Sequence, residues 1–252
     1  PLMISLVLMQ NTSKMLDHNV LVRKAEGIET AGALNILFSD KTGTITKGEM
    51  EVVQFFSGDG TIIDTKQINN YPDIREKLHV AIGKNTSSMF DEHHRVISGN
   101  ATDQALMKFL GEDSYLKMKE DPSLEVFASQ KFNSSNKFSQ AQIGGLTYYK
   151  GAPERLLQKA DRYMGTDGQL HPLDLSCINQ RIDTLAKKAM RVIAFGYSEE
   201  PLQENCISGN LVLIGLAAIR DDVRPEARIA IHDVQKAGIQ VVMITGDRLE
   251  TA

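Results

Sequence analysis

Residues 34–38, Leu-Asn-Ile-Leu-Phe, form a short apolar run of the kind expected of a strand buried on both faces. Such a strand points to an α/β arrangement, because a parallel sheet with helices on both sides hides both faces at once. Ser39 and Asp40 follow, and then Lys41-Thr42-Gly43-Thr44 turns the chain and offers hydroxyls and amides to an anion. Asp40 therefore sits where an apolar strand meets a polar loop, and open α/β sheets bind their ligands at such a place.

A carboxylate is ordinarily ionised at neutral pH and needs no base to act as a nucleophile. Its natural target is a phosphoryl group, with a cation offsetting the repulsion between two anions. The same design recurs later in the chain. Residues 241–244, Val-Val-Met-Ile, form a second apolar run that delivers Thr245-Gly246-Asp247, again a hydroxyl, a glycine and a carboxylate at a strand tip.

At 252 residues the chain is one large domain or two smaller ones on a prior of about 100–200 residues per domain. Its net charge of −4, from 28 basic and 32 acidic residues, lacks the clustered basic excess that nucleic acid would call for. Cys177 and Cys206 form no Cys-x-x-Cys pair and point to a reducing compartment without a disulfide. No segment reaches the roughly 18–20 apolar residues of a membrane span. Residues 1–8 are apolar but short, and on their own read as the first turns of a core helix.

Between these two strands the pattern changes. Residues 9–30 read as helical, and residues 50–56 as a strand, with Gly58-Asp59-Gly60 turning a hairpin back through 61–64. A helix is expected over 72–82, then an irregular polar stretch over 87–98. His93 and His94 there would point about 100° apart on a helix and read as a solvated loop rather than metal ligands. Thr102 could cap a helix carrying Ala105, Leu106 and Phe109. Residues 146–150 read as a strand feeding a helix over 153–160 with Pro153 in its first turn. Residues 174–190 read as a long helix, 191–195 and 211–219 as strands, and a helix from about Pro225 ends at Gly238.

Asp40-Lys41-Thr42-Gly43-Thr44-Ile45-Thr46 resembles, at every position, the phosphorylation motif of the P-type cation-transporting ATPases. Lys150-Gly151-Ala152-Pro153-Glu154 is similar to the nucleotide-domain signature of that family, and Thr245-Gly246-Asp247 to its phosphoryl-holding motif. Residues 99–106 resemble its Gly-x-x-Thr-Glu-x-Ala-Leu segment, with Asp103 in place of the longer Glu. Phe132 and Lys137 resemble its Phe-Ser-x-x-x-Lys strand, with Ser134 where many relatives carry arginine. Asp221-Asp222-Val223-Arg224 loosely matches its Asp-Pro-Pro-Arg hinge, both prolines being replaced. The wording around 22–36 looks most like calcium-transporting members.

The resemblance implies a Rossmann-like phosphorylation domain of the haloacid-dehalogenase type, α/β and incomplete, over 1–48 and 221–252. An α+β nucleotide-binding domain would be inserted over 49–220. ATP and Mg²⁺ are the implied ligands, with Asp40 and the Thr42 carbonyl on the metal and Asp40, Lys41, Thr42, Thr245, Gly246 and Asp247 in the chemistry. Adenine would stack on Phe132, with Asp103, Lys137, Lys150, Gly151, Arg191 and Arg224 completing the nucleotide site. As isolated residues, Phe132 reads as core, Lys150 as a surface lysine and Arg191 as the partner of a neighbouring acid.

In related aspartate-nucleophile phosphatases an acid two residues after the nucleophile hydrolyses the phosphoaspartate, and Thr42 cannot do that work efficiently. A persistent phosphoenzyme is therefore implied, in a multi-pass membrane pump with this portion on the cytoplasmic side. Residues 1–8 would be the cytoplasmic end of its fourth membrane helix, and the helices that bind the transported cation lie outside this sequence. The chain stops before the family's later lysine and Gly-Asp-Gly-x-Asn-Asp segment, so by itself it is expected to bind ATP weakly and not to phosphorylate itself appreciably. A soluble aspartate-nucleophile phosphatase and a non-catalytic nucleotide-binding module are the alternatives.

Overall fold

The computed structural model describes residues 2–24 and 26–245. The first half of the chain runs α1 (Leu2–Asp17), α2 (Glu26–Gly32), β1 (Ile36–Asp40), β2 (Thr46–Phe56), β3 (Ile62–Ile63) and α3 (Pro72–Gly83). Next come β4 (Met89–Phe90), β5 (Val96–Ile97), α4 (Ala101–Leu110), α5 (Glu112–Glu120), β6 (Val126–Gln130), β7 (Phe138–Ile143) and β8 (Leu146–Gly151). The remainder is α6 (Pro153–Leu156), β9 (Ala160–Met164), β10 (Leu170–Pro172), α7 (Leu175–Ala186), β11 (Arg191–Ser198), β12 (Leu211–Val223), α8 (Pro225–Lys236) and β13 (Gln240–Ile244). These elements fall into two compact units, Pro1–Thr46 with Val223–Thr245, and Lys47–Asp222.

In the first unit β1 and β13 pair in parallel, Ile36 opposite Gln240 through Asp40 opposite Ile244. Helix α8 leads into β13, and Gly238 (φ 83°) takes the left-handed conformation that ends it. Residues 34–38 are expected to be buried on both faces, and here the structure differs. Phe38 is 61% exposed and Ile36 44%, because the sheet has two strands among the described residues and two-sided burial requires a covering layer on each face. The helical pattern over 9–30 is broken, α1 ending at Asp17 and α2 beginning at Glu26.

The second unit is built on a nine-stranded sheet, β10-β9-β12-β11-β8-β7-β6, with β2 on β12 and β3 on β2. Strands β10 and β9, β11 and β12, β11 and β8, β8 and β7, β7 and β6, and β2 and β3 pair antiparallel, and β9 pairs with β12 in parallel. Helices α3 to α5 contribute Leu78, Ile82, Leu106, Met107 and Met118 to one core, with Phe195 and Ile214 of the sheet. Helices α6 and α7 contribute Leu156, Ile178 and Leu185 to the other, with Phe56, Tyr149 and Leu216. Burial on both faces explains the near-continuous apolar run of β12.

That run changes phase in its middle. Leu211 and Leu213 join the α6–α7 core and Ile214 the α3–α5 core, but beyond Gly215 the even residues Leu216 and Ala218 face α6–α7. The pairing with β11 steps from Gly215 to Leu213 and skips Ile214, a bulge that inverts the side-chain parity. Glycine is required there, since a Cβ would stand 2.3 Å from the Phe55 ring and 2.8 Å from the Phe56 carbonyl.

Smaller differences have local causes. Residues 87–98 contain the β4–β5 hairpin, whose tip is held by Asp91 accepting from His93 N (2.9 Å) and Arg95 N (2.8 Å). His94 Nδ1 lies 2.7 Å from Glu112 Oε2. Helix α6 stops at Leu156, because β9 must begin at Ala160 to pair with β12. Helix α7 starts after Asp174, whose carboxylate accepts from Ser176 N, and ends at Ala186, four residues before the expected end. No helix among the described residues is long and apolar enough to cross a membrane.

Candidate functional site

Two chemically distinct places emerge, one in each unit. In the first unit Asp40 ends β1 with its side chain exposed, and its register partner Ile244 places Thr245 one residue past the neighbouring strand tip. Parallel pairing thus brings Asp40 and Thr245 to the same edge of one sheet, where α/β sheets bind ligands. Gly246 and Asp247 lie outside the described residues.

The turn Lys41–Ile45 after Asp40 is held from within. Thr42 is extended (φ −77°, ψ 122°) and Gly43 left-handed (φ 77°). Thr46 is buried, its hydroxyl donating to the Lys41 carbonyl (3.1 Å) and accepting from Gly43 N (3.2 Å). Arg224, at the N-cap of α8, fastens the same turn. Its backbone N–H donates to Ile45 O (2.9 Å), its Nε to Thr46 O (3.0 Å) and its terminal NH₂ to Gly43 O (3.2 Å). Arg224 is thus occupied with the turn that follows Asp40.

Asp40 and Thr42 are both exposed, two residues apart, the first carrying a carboxylate and the second a main-chain carbonyl. Hard oxygen donors of this kind, few in number, suit Mg²⁺, which keeps several waters and takes one or two carboxylates together with substrate phosphates. Among the described residues no group of three or more His, Cys, Asp or Glu is placed to hold a metal by itself.

In the second unit a cavity of roughly 510 Å³ is lined by the first turn of α4, the β6–β7 loop, the end of β8 and the start of β11. That is within the range of about 300–1,000 Å³ that small-molecule sites occupy. Asp103, Phe132, Lys137, Lys150, Gly151 and Arg191 all line it.

Lys150 forms the floor. Its Nζ lies 2.5 Å from Asp103 Oδ1 and 2.5 Å from the Asn85 carbonyl, and both ionic residues are buried. Burial pulls the Lys150 ammonium below the usual lysine range, and the Asp103 carboxylate works against that shift. Asp103 is set by the helix start. Asn100, not Thr102, is the cap: its side-chain oxygen accepts from Asp103 N (2.9 Å) and its amide donates to Asp103 Oδ2 (3.3 Å). Thr102 instead accepts from the Arg191 guanidinium at 3.0 Å, tying β11 to α4 through a hydroxyl rather than an acid.

Phe132 is 52% exposed at the cavity and does not join either core. Lys137, left-handed at φ 61°, pairs with Glu154 Oε1 at 3.1 Å, and its carbonyl accepts from Ala152 N (2.9 Å). Gly151 lets these strands close on one another, because a Cβ would stand 2.5 Å from the Lys137 carbonyl oxygen and 2.6 Å from Phe138 Cβ. Sequence reasoning missed Thr46 and Asn85. The first could be suspected from a hydroxyl three residues after a turn glycine; the second acts through a backbone carbonyl and leaves no signal.

Comparison with known proteins gives consistent matches. Residues 74–226 match the family model described as "P-type ATPase, cytoplasmic domain N". The chain is 33% identical over 279 residues to plasma membrane calcium-transporting ATPase 3 of Homo sapiens, covering 100% of this chain and 23% of that protein. It is 30% identical over 273 residues to calcium-transporting ATPase 7, plasma membrane-type, of Oryza sativa subsp. japonica (100% and 26%). Calcium-transporting ATPase 1 of Saccharomyces cerevisiae is 28% identical over 284 residues (100% and 30%). The chain thus spans about a quarter of the length of the curated relatives it matches.

Proposed function

The chain belongs to the P-type ATPases, and from that premise we propose that it is the ATP-binding and phosphorylation portion of an ATP-driven pump, with Ca²⁺ as the transported ion. Calcium enters through the relatives, each of the three named above being a calcium-transporting ATPase. The phosphorylation domain is assigned to residues 1–48 and 221–252, with a haloacid-dehalogenase-type fold. The nucleotide domain is assigned to 49–220 as an insertion. The pump sits in a membrane and this portion faces the cytoplasm.

Adenine stacks on Phe132, with Lys137 alongside and Lys150 lining the adenosine pocket, and Arg191 reaches the phosphates. The γ-phosphoryl passes to an Asp40 carboxylate oxygen: the bond between γ-phosphorus and the bridging oxygen of ADP breaks and an aspartyl acyl-phosphate (mixed anhydride) bond forms. Lys41 and Thr245 would hold the transferred group, and Arg224 with Thr46 fixes the turn that presents Asp40. Asp40 and the Thr42 carbonyl would hold Mg²⁺, which when bound would neutralise part of the phosphate charge. With threonine at 42 there is no efficient acid or base two residues after the nucleophile, so the acyl phosphate persists long enough to drive a conformational cycle.

The observation that supports this reading above the others is Asp40, exposed at the C-terminal tip of a parallel strand and in register with the residue before Thr245. The test is ATP hydrolysis by the pump carrying this chain, in membranes, against a panel of Ca²⁺, Na⁺, K⁺ and Mn²⁺. Stimulation by Ca²⁺ that disappears in Asp40→Asn, with ATP binding retained, is expected. Transport surviving that substitution would favour a non-catalytic nucleotide module, and steady turnover of a generic phosphomonoester would favour a soluble phosphatase.

A further inference from the structure

The loop joining β6 to β7, residues 131–137, brings Phe132 and Lys137 to the cavity and is exposed along nearly all its length. Little packing fixes the Phe132 ring, yet stacking needs the ring held still. Beside the loop runs segment 199–210, between β11 and β12. It has no regular structure but is fastened to the sheet. Thr147 Oγ1 donates to Glu200 O (2.7 Å), Gln140 Nε2 to Gln203 O (2.6 Å) and Ser208 N to the Tyr149 hydroxyl (3.3 Å), while Ile207 is buried.

At the crown of this segment Asn205 adopts φ 59°, a left-handed conformation that asparagine tolerates better than most residues. Its backbone N–H donates to Gln130 Oε1 (2.8 Å), and Gln130 Nε2 donates back to Asn205 Oδ1 (2.8 Å). Asn136 Nδ2 donates to the same Oδ1. Gln130 precedes Phe132 by two residues and Asn136 follows it by four, so one carboxamide oxygen holds both limbs of the loop. Asn136 N also donates to Asn133 Oδ1 (2.7 Å), which carries the restraint inward to the residue beside the ring.

We infer that Asn205 is a positioning residue for the nucleotide, fixing through Gln130 and Asn136 the orientation of the Phe132 ring on which adenine stacks. This rests on the nucleotide reading of the cavity. A side-chain oxygen is what the position must supply, since both partners donate to it.

The variants follow from that requirement. Asn205→Gly keeps the left-handed backbone and the N–H bond to Gln130 but removes the oxygen; Asn205→Asp keeps an acceptor in place. ATP affinity of this chain is read by competition against a fluorescent ATP analogue. Asn205→Gly is expected to weaken ATP about three- to tenfold, the scale of one or two hydrogen bonds. Asn205→Asp is expected to restore binding to within about twofold of wild type, since the acceptor oxygen is kept. In a Phe132→Ala background Asn205→Gly should cost nothing further, because the residue acts through the ring. Unchanged binding in Asn205→Gly, failure of Asn205→Asp to restore it, or an additive loss with Phe132→Ala would each overturn the inference. No ATP binding by the wild-type chain would instead remove the nucleotide reading itself, and the inference with it.

Discussion

Lys150 Nζ lies 2.5 Å from Asp103 Oδ1, and the two residues are 5% and 6% exposed beneath the cavity. An ion pair removed this far from water stands on each charge having its partner. Deleting one side strands the other, at a cost of about 3–5 kcal/mol. Asp103→Ala should therefore destabilise the chain by that order in urea denaturation. The double variant Asp103→Leu with Lys150→Met should recover most of the loss, because no charge is left buried. A loss under about 1 kcal/mol for Asp103→Ala would mean that the pair is solvated, as exposed pairs are.

Phe132 separates binding from stability. Half exposed and outside both cores, it should cost the fold no more than about 0.5 kcal/mol when replaced by alanine. The same replacement should weaken ATP by about 1–3 kcal/mol, the worth of one base stacked on one ring. Calorimetric titration with ATP, alongside the urea midpoint, reads both quantities. Equal damage to both would identify Phe132 as a packing residue.

His79, on α3, sets a pH dependence. Burial, reinforced by the Arg75 charge, lowers its pKa to about 4 from an ordinary value of 6.5. As pH falls below 6.5 the unfolded chain takes up a proton that the folded chain refuses until about 4, so the unfolded state is favoured across that interval. Stability should thus decline from pH 6.5 to 4 and be indifferent to this residue above 6.5. Comparison of His79→Gln with wild type isolates the contribution from that of the carboxylates. The variant should show a shallower decline, by on the order of 2 kcal/mol across the interval. Parallel curves would show that His79 titrates normally in the fold.

The chain displays some of its structure openly and conceals the rest. The apolar runs ending at Asp40 and Ile244 are visible as strands, and so is the turn at Gly58-Asp59-Gly60 that returns β2 to β3. Burial was less legible, because exposure of Phe38 depends on what covers the sheet and not on the run itself. The α4 cap was misplaced at Thr102 where Asn100, the stronger capping residue, does the work. Two-residue strands such as β4 and β5 carry no periodicity to detect. The bulge at Ile214–Gly215 depends on Phe55 approaching from β2, a contact that β12 does not advertise.

The same division holds for the cavity. Phe132, Lys150 and Arg191 stand out only through likeness to family motifs; in isolation they suggest core, surface and an acid pair. Asn85 meets Lys150 through a carbonyl 65 residues away, Thr102 meets Arg191 through a hydroxyl 89 residues away, and Asn205 meets Gln130 and Asn136 through a carboxamide 75 and 69 residues away, and sequence spacing gives no sign of them.

Phosphorylation of one carboxylate is what all of this converges on, and it can be read directly. The full-length protein that carries this chain is incubated with γ-labelled ATP and Ca²⁺, quenched in acid, and its labelled peptide is identified. An acid-stable, hydroxylamine-sensitive label on the peptide containing Asp40, absent from Asp40→Asn, is the expected result. A label that persists in Asp40→Asn, or that maps to another residue, would contradict it.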